Sequence, residues 1–334
     1  MGDIEFLYLN QADVRATGVD MHLALKAVEE SFRLHHQGQT ILPHKTVLDM
    51  GERERGRGNA MPAYVGGDYE VFGIKWIAGF PGNPTLHGLP RGTGLFILND
   101  SWKGIPLAIM DCTLTSAMRT GAVTGVGAKY LARQDSRSVA MIGAGVQART
   151  QLEALKIVLP GLQEVRAYDV RHEAAEKYAE EMSARLDLDV CAVGSAEAAV
   201  RDADVVVTVT VADEPIVKDA WMKPGSYFAA VGSYQEEEFA VVSNSDKVVV
   251  DGLEHVLHRE TPVIALMIEQ GLIEAGEIGD LGAIVCGDQP GRETPDERIF
   301  FSPIGMGTED VCLCYEVFKL AQEKGIGRKL GLFG

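Results

Sequence analysis

The sequence predicts an α/β chain in which a doubly wound, parallel-sheet domain is inserted into a second, α+β domain. Three observations carry this expectation. From residue 138 short apolar runs alternate with amphipathic stretches, and this β-α-β rhythm continues to about residue 285. Before it, over residues 41–110, short β-like pieces (KTVLDM, VFGIKWIAGF, GLFILND, PLAIMD) alternate with Gly, Pro and Asn turns, as in a largely antiparallel sheet. After it, ERIFFSPIGMGTED leads into a helix over residues 311–324 that breaks the middle rhythm. An inserted unit explains that order. The expected division is residues 1–118 with 300–334 for the outer domain and 119–299 for the inserted one.

Size and composition agree with two domains. The chain has 334 residues, against roughly 100–200 per domain. It is 46% hydrophobic and 24% charged, which is ordinary globular material able to build cores. No apolar run reaches the roughly 18 residues of a membrane span, and MGDIEFLYLN lacks the basic, apolar and small-residue regions of a signal peptide. A cytoplasmic protein with no membrane partner is expected. The net charge of −17 disfavours nucleic acid, whose phosphates call for surplus Lys and Arg; a small anionic ligand sees only local charge and stays compatible. The five cysteines (Cys112, Cys191, Cys286, Cys312, Cys314) are odd in number and no second Cys/His pair completes a zinc set, so they read as reduced core residues. His255 and His258 are spaced i, i+3 without a third ligand, so no metal is expected.

Residues 21–37 carry apolar positions near a 3.6 period and read as an amphipathic helix. Residues 116–133 form a second helix, rich in Ala and Gly and therefore closely packed. SVAMIG is a buried strand, QARTQLEALKIVL a helix closed by Pro160, EVRAYD a strand and HEAAEKYAEEMSARL a helix. VCAV and AEAAVRD are a short strand and helix. DVVVTVT is almost wholly apolar, as expected of a parallel strand covered on both faces. YFAAVG and KVVVD complete the series.

The chemistry begins at GAGVQA, residues 143–148. A lone glycine motif is weak, but here an apolar strand runs into it and a helix follows at once. Gly143 permits the tight turn, Gly145 lets backbone approach a pyrophosphate, and Ala148 allows close helix–strand packing. The helix N-terminus offers free N–H groups and a positive dipole end to phosphates. The next strand ends at Asp169, 26 residues beyond Gly143, near the position of the acid that accepts a ribose 2′-hydroxyl. Together these features predict a Rossmann dinucleotide site. Asp169 favours NAD(H) over NADP(H), since a carboxylate repels a 2′-phosphate; Arg166 and Arg171 nearby keep NADP(H) possible, Arg171 more so by strand alternation.

The chain resembles the ornithine cyclodeaminase/μ-crystallin family over nearly its whole length. The most specific stretch is SAMRTGAVTGVGAKYLARQDSRSVAMIGAGVQA, supported by IKWIAG, GTGLFIL, VVVTVT, AVG and GMGTEDV. The resemblance implies a Rossmann domain inserted into a substrate-binding and dimerisation domain, and hence a homodimer. It implies hydride exchange between a nicotinamide and the α-carbon of an amino or imino acid. It places Lys75 and Arg119 on the substrate carboxylate, with Lys45 where many members carry a third, arginine ligand; Lys gives the charge without the bidentate fork. It places Thr93, Thr120, Gly145, Val146, Gln147, Asp169, Thr210 and Val231 along the dinucleotide, with Gly143 at the turn. Cyclodeaminases carry an Asp shortly after AVG; an ungapped alignment puts Tyr234 there, in SYQEEE. Tyr234 is therefore a candidate proton or hydrogen-bond donor, and a reductase or dehydrogenase is favoured over a cyclodeaminase. The run Glu236–Glu238 could supply a carboxylate, but such a run reads first as a solvated loop.

The residues support this chemistry independently. Reduction of an α-imino acid needs a held nicotinamide, a clamped carboxylate and a proton path to nitrogen. Lys75 lies in an apolar strand, where a charge needs a partner, and a bound carboxylate is one candidate; the ordinary alternative is a snorkelling lysine, and for Arg119 a structural ion pair. The leading expectation is a ketimine or pyrroline-carboxylate reductase or an amino-acid dehydrogenase. The alternatives are an ornithine or lysine cyclodeaminase, an opine-type or 2,3-diaminopropionate-pathway dehydrogenase and, in a different class, a crystallin-like binding protein.

Overall fold

The computed structural model describes residues 3–51, 56–212, 214–232 and 234–333. The chain divides into two compact units, residues 1–119 with 306–334 and residues 120–305.

The first unit is built from β1 (Glu5–Leu9), α1 (Gln11–Ala16), α2 (Met21–His36), β2 (Thr40–Ile41), β3 (Thr46–Asp49), β4 (Arg57–Val65), β5 (Val71–Gly79), α3 (Asn83–Leu86), β6 (Gly92–Asp100), β7 (Pro106–Asp111), the start of α4 (Thr113–Leu131), and, from the chain's return, α12 (Gly307–Lys324) and β16 (Arg328–Gly331). The strands lie in the order β16-β1-β7-β6-β5-β4-β2, with β3 also on β4. All pairs are antiparallel except β1 with β7. Helix α2 starts where the Asp20 carboxylate accepts the Leu23 N–H at 2.9 Å, and it buries Ala24, Ala27, Val28 and Phe32. Helix α12 packs on α2 and on β4–β6. Strand pleating thus splits β5 into two faces: Val71, Gly73 and Lys75 are buried, while Phe72 and Trp76 are exposed.

The second unit contains the rest of α4, then β8 (Ser138–Ile142), α5 (Val146–Val158), β9 (Glu164–Tyr168), α6 (His172–Leu186), β10 (Asp189–Ala192), α7 (Ala196–Val200), β11 (Val205–Thr208), β12 (Tyr227–Ala230), α8 (Phe239–Ser243), β13 (Lys247–Val250), α9 (Leu253–Arg259), α10 (Val263–Glu269), β14 (Ile278–Asp280), α11 (Leu281–Cys286) and β15 (Ile299–Ser302). Every pair is parallel, in the order β10-β9-β8-β11-β12-β15-β13-β14. Strands β8, β11, β12 and β15 are buried at every residue, as a sheet covered on both faces requires. The Ala/Gly content of α4 has a steric cause: a Cβ on Gly121 would stand 2.4 Å from the Thr150 carbonyl oxygen of α5, and one on Gly127 would stand 2.6 Å from the Tyr227 hydroxyl.

The expected boundary at residues 299/300 is corrected. Strand β15 pairs with β12 on one side and β13 on the other, so it is an interior strand of the inserted sheet, and the division falls at 305/306. The first boundary falls at 119/120, one residue from the expected 118/119. The cysteine expectation is also corrected in part: Cys112, Cys312 and Cys314 are buried, but Cys286 is half-buried and Cys191 is exposed on β10, the end strand of its sheet.

Candidate active site

Two candidate groups emerge, one in each unit. In the second unit the chain runs from β8 outward through β9 to β10 and then returns to the other side of β8 as β11. The switch point lies between β8 and β11, and ligands of such sheets bind beyond the strand carboxyl ends there. Gly143 follows β8 with φ +100°, and a Cβ would press on the Val209 carbonyl oxygen at 3.0 Å and Thr210 Cγ2 at 3.1 Å. Only glycine takes that conformation and contact without strain. Gly145 caps α5 without a side-chain cap bond, and a Cβ there would meet nothing within 4 Å. The first turn of a thirteen-residue helix therefore faces open space, with Val146 exposed beside it and Ala148 fully buried. This cradle fits a pyrophosphate: backbone donors, positive dipole end, no competing side chain.

Asp169, just past β9, is fixed against that loop. Its Oδ2 accepts the Ala144 N–H and its Oδ1 the Arg171 N–H, each at 2.9 Å. The Arg171 side chain is largely exposed, with Nε 3.9 Å from the carboxylate. Arg166 is engaged elsewhere, with Glu164 and the Ala198 carbonyl. On the far side of the switch point, Val231 donates its N–H to the Thr208 carbonyl and Thr210 donates its N–H to Glu236 Oε1 at 2.6 Å. Gln147 lies in the first turn of α5, and the Thr120 carbonyl accepts from Gln151 Nε2. Thus Gly143, Gly145, Val146, Asp169, Thr210 and Val231 gather at the strand ends around one glycine loop.

The acidic run after β12 differs from its expectation. Glu236 and Glu237 are buried, at 1% and 0% exposure, and are not a solvated loop. A bridge between Val217 and Glu237 pulls the run inward, and Ile216 and Val217 both donate to the Glu236 carbonyl. Neither carboxylate oxygen of Glu237, and not Oε2 of Glu236, has a hydrogen-bond partner among the described residues. Burial pushes both carboxyls above the ordinary range, and the Glu236 charge adds to this for Glu237. Tyr234 lies in the bend between β12 and this run and is half-buried.

The first unit holds the second group. Lys75 on β5 is 1% exposed, so it does not snorkel. Its Nζ donates to both carboxylate oxygens of Asp310, at 2.8 and 3.0 Å, and to Ser116 Oγ at 3.2 Å. Arg119 on α4 donates Nη1 to Glu309 Oε2 at 2.8 Å and sets Nε 3.3 Å from Asp310 Oδ1. Glu309 Oε1 in turn accepts the Met306 N–H at the start of α12. Two cations thus meet two carboxylates with almost no water. Both acids stand in the first turn of α12, where the helix dipole favours negative charge. Burial and then the Arg119 charge pull the Lys75 ammonium below the ordinary lysine range, against the opposing pull of Asp310. The partner that Lys75 requires is therefore supplied by the protein. Lys45 is half-buried between β2 and β3, and Thr93 is exposed on β6, in the alternate register from buried Phe96. Glu309 and Asp310 escaped the reading of the sequence; the one signal for them was a lysine in an apolar strand, which demands an acid from somewhere. Among the described residues no group of His, Cys, Asp and Glu could hold a metal ion.

Comparison with known proteins identifies the family. The model of the ornithine cyclodeaminase/mu-crystallin family matches residues 7–325. Alanine dehydrogenase of Archaeoglobus fulgidus is 38% identical, covering 99% of each chain. The structure of Thermococcus litoralis Δ1-pyrroline-2-carboxylate reductase in complex with NADH and L-proline is 35% identical, with TM-score 0.91 over 97% of this chain and 99% of that one. An archaeal alanine dehydrogenase dimer with bound NAD is 36% identical, with TM-score 0.91 over 99% and 100%. On the family match and this degree of identity over full length, the chain belongs to the ornithine cyclodeaminase/mu-crystallin family.

Proposed function

We propose that this protein is an NAD(H)-dependent oxidoreductase acting on the α-carbon of an amino acid or imino acid, as a ketimine-type reductase or an amino-acid dehydrogenase. The observation that carries the reading is the open glycine loop at Gly143–Gly145 with Asp169 fixed beside it. NAD(H), when bound, supplies or accepts the hydride. Gly145 and Val146 would hold its pyrophosphate with backbone N–H groups, and Asp169 would take the ribose hydroxyls and disfavour a 2′-phosphate. A relative named alanine dehydrogenase and a Δ1-pyrroline-2-carboxylate reductase solved with NADH and L-proline support an amino-acid or imino-acid substrate. In this reading Arg119 and Lys75 bind the substrate carboxylate, helped by Lys45, and Asp310 and Glu309 keep the two cations aligned. Lys75, its ammonium destabilised by burial, is suited to passing a proton. Tyr234 remains a candidate hydrogen-bond donor to the substrate nitrogen, and Thr93, Thr120 and Gln147 candidate cofactor contacts.

The same reading includes a homodimer. The exposed face of the first sheet is apolar: Trp76 stands opposite Leu95 and Ile74 opposite Ile97, with Phe72 alongside. A cavity of about 610 Å³ opens nearby, lined by Pro62, Tyr64, Phe72 and Trp102. An apolar face this broad calls for a cover, and a second copy supplies one. The exposed sheet face, more than the strand edges, is the surface that argues for pairing. Among the described residues no helix is long and apolar enough to cross a membrane. The free thiols of Cys112, Cys191, Cys312 and Cys314 fit a reducing, cytoplasmic compartment.

The test is NADH oxidation with Δ1-pyrroline-2-carboxylate, and with pyruvate plus ammonia. Turnover with either is expected. Tight NADH binding without turnover on any imino acid would point instead to a binding protein. Incubation with ornithine and catalytic NAD, assayed for ammonia and proline, separates the cyclodeaminase; rapid proline formation would overturn the reductase assignment.

A further inference from the structure

We infer that Arg149 is a positioning residue for the pyrophosphate: it sets the direction of the glycine-loop peptides from behind. The inference rests on the dinucleotide reading above. Arg149 lies one turn into α5, four residues beyond Gly145. Its Nη1 donates to two carbonyls of the loop, Ala144 at 3.0 Å and Gly145 at 2.9 Å. A trans peptide is planar, with C=O and N–H pointing opposite ways. The carbonyl of Ala144 shares a peptide with the N–H of Gly145, and that of Gly145 with the N–H of Val146. Drawing both carbonyls onto one guanidinium turns both N–H groups to the other side, where the open cradle lies. The Ala144 N–H is already taken by Asp169. Gly145 and Val146 are therefore the donors left for a phosphate, and Arg149 is the group that orients them.

Arg149 itself is held on three sides. Glu181 Oε2 on α6 accepts from its Nε at 2.9 Å and its Nη2 at 2.7 Å. Its guanidinium carbon stands 5.5 Å from the Tyr178 ring centre, and the Tyr178 hydroxyl donates to the Ala148 carbonyl of the same helix turn. The side chain is one-fifth exposed, so it is neither a free surface charge nor a buried one. Glu181 neutralises it, which leaves its role one of aim more than of net charge.

The fold contains its own control. One turn further along both helices, Arg185 pairs with Glu153 at 2.6 Å, with the signs reversed. That pair joins α5 to α6 as Arg149–Glu181 does, but it touches no loop carbonyl. A purely structural role for Arg149 predicts that the two arginines behave alike. The positioning role predicts that they part on ligands that carry a pyrophosphate.

The experiment compares the wild type with Arg149→Met, Arg149→Lys and Arg185→Met. Dissociation constants are measured for NADH by fluorescence and for ADP-ribose and adenosine by calorimetry. Arg149→Met should weaken NADH and ADP-ribose about tenfold, the loss of one charge-assisted bond, and leave adenosine within about twofold. Arg149→Lys keeps the charge without the fork and should fall between. Arg185→Met should lower the melting temperature slightly while leaving all three constants within about twofold. Equal weakening by the two methionine variants, equal weakening of adenosine and NADH, or an unchanged NADH constant in Arg149→Met overturns the inference while the dinucleotide reading stands. A wild type that binds no NADH overturns both.

Discussion

The two candidate sites of this chain are built on opposite principles. The glycine loop of the second unit is made of backbone: donors aimed by local geometry, with side chains serving to fix peptides. The cluster in the first unit is made of side chains: Lys75, Arg119, Glu309 and Asp310, four charges withdrawn from water and balanced against each other. The first needs a short continuous stretch of sequence. The second needs residues up to 235 positions apart. A backbone site tolerates change at its margins, whereas a buried charge cluster fails as a unit when one member is lost.

That contrast can be broken at its most exposed point. Asp310→Asn leaves the Lys75 ammonium buried without its carboxylate, which should cost about 3–5 kcal/mol of folding stability in denaturant titrations. The double variant Lys75→Met with Asp310→Leu should recover most of that loss while remaining inactive, because an apolar pair of similar volume suits a dry site. A single variant as stable as the wild type would show that water or another group already compensates the lysine. Arg119→Ala comes next. It should lower kcat/KM by roughly one to two decades, the value of a charge-assisted clamp, with little change in NADH affinity. Equal losses in both constants would tie Arg119 to the cofactor instead.

On the backbone side, Asp169→Asn should raise the KM for NADH about tenfold and narrow its advantage over NADPH, since one charged acceptor and one repulsion are removed together. A wild type that already prefers NADPH would remove the basis of this prediction. The smallest effect concerns Glu237. Its folded-state carboxyl keeps a proton that the unfolded chain releases near pH ~4.3. Between those two pKa values the folded state binds more protons than the unfolded, so stability falls as pH rises. The contribution is whole below the unfolded value and is lost through the folded one. Glu237→Gln should flatten this slope and gain about 1 kcal/mol relative to the wild type at mildly alkaline pH, with no gain near pH ~4. Parallel urea midpoints at both pH values would show the carboxyl to be solvated.

The same contrast explains what could be read from the sequence. Gly143, Gly145, Ala148 and Asp169 lie within one β-α-β unit, and each has a local steric or charge reason that the letters display. The long helices and the fully buried strands are legible for a similar reason, since their periodicity is local. The acids of the charged cluster are not. GMGTEDV reads as an ordinary acidic helix start, and nothing local shows that α12 lies over β5. Glu236 and Glu237 look like a solvated run because polarity is local, while the bridge from Val217 that buries them comes from twenty residues upstream. The boundary misplaced by six residues has the same cause: IFFS announces a strand but not which sheet will take it.

That strand sets the order in which the molecule can be completed. Strand β15 fills the place between β12 and β13, which precede it by about seventy and fifty residues. Until residue 302 has left the ribosome, the inserted sheet has two unpaired inner edges, and α12, which covers the first sheet, emerges later still. The inserted unit therefore has all its strands before the first unit, begun earlier, receives its last helix and strand. Edges of this kind invite pairing with other chains, and closing them across such separations is slow. The nascent chain is expected to be most prone to aggregate, and most dependent on chaperones, over this last stage of its synthesis.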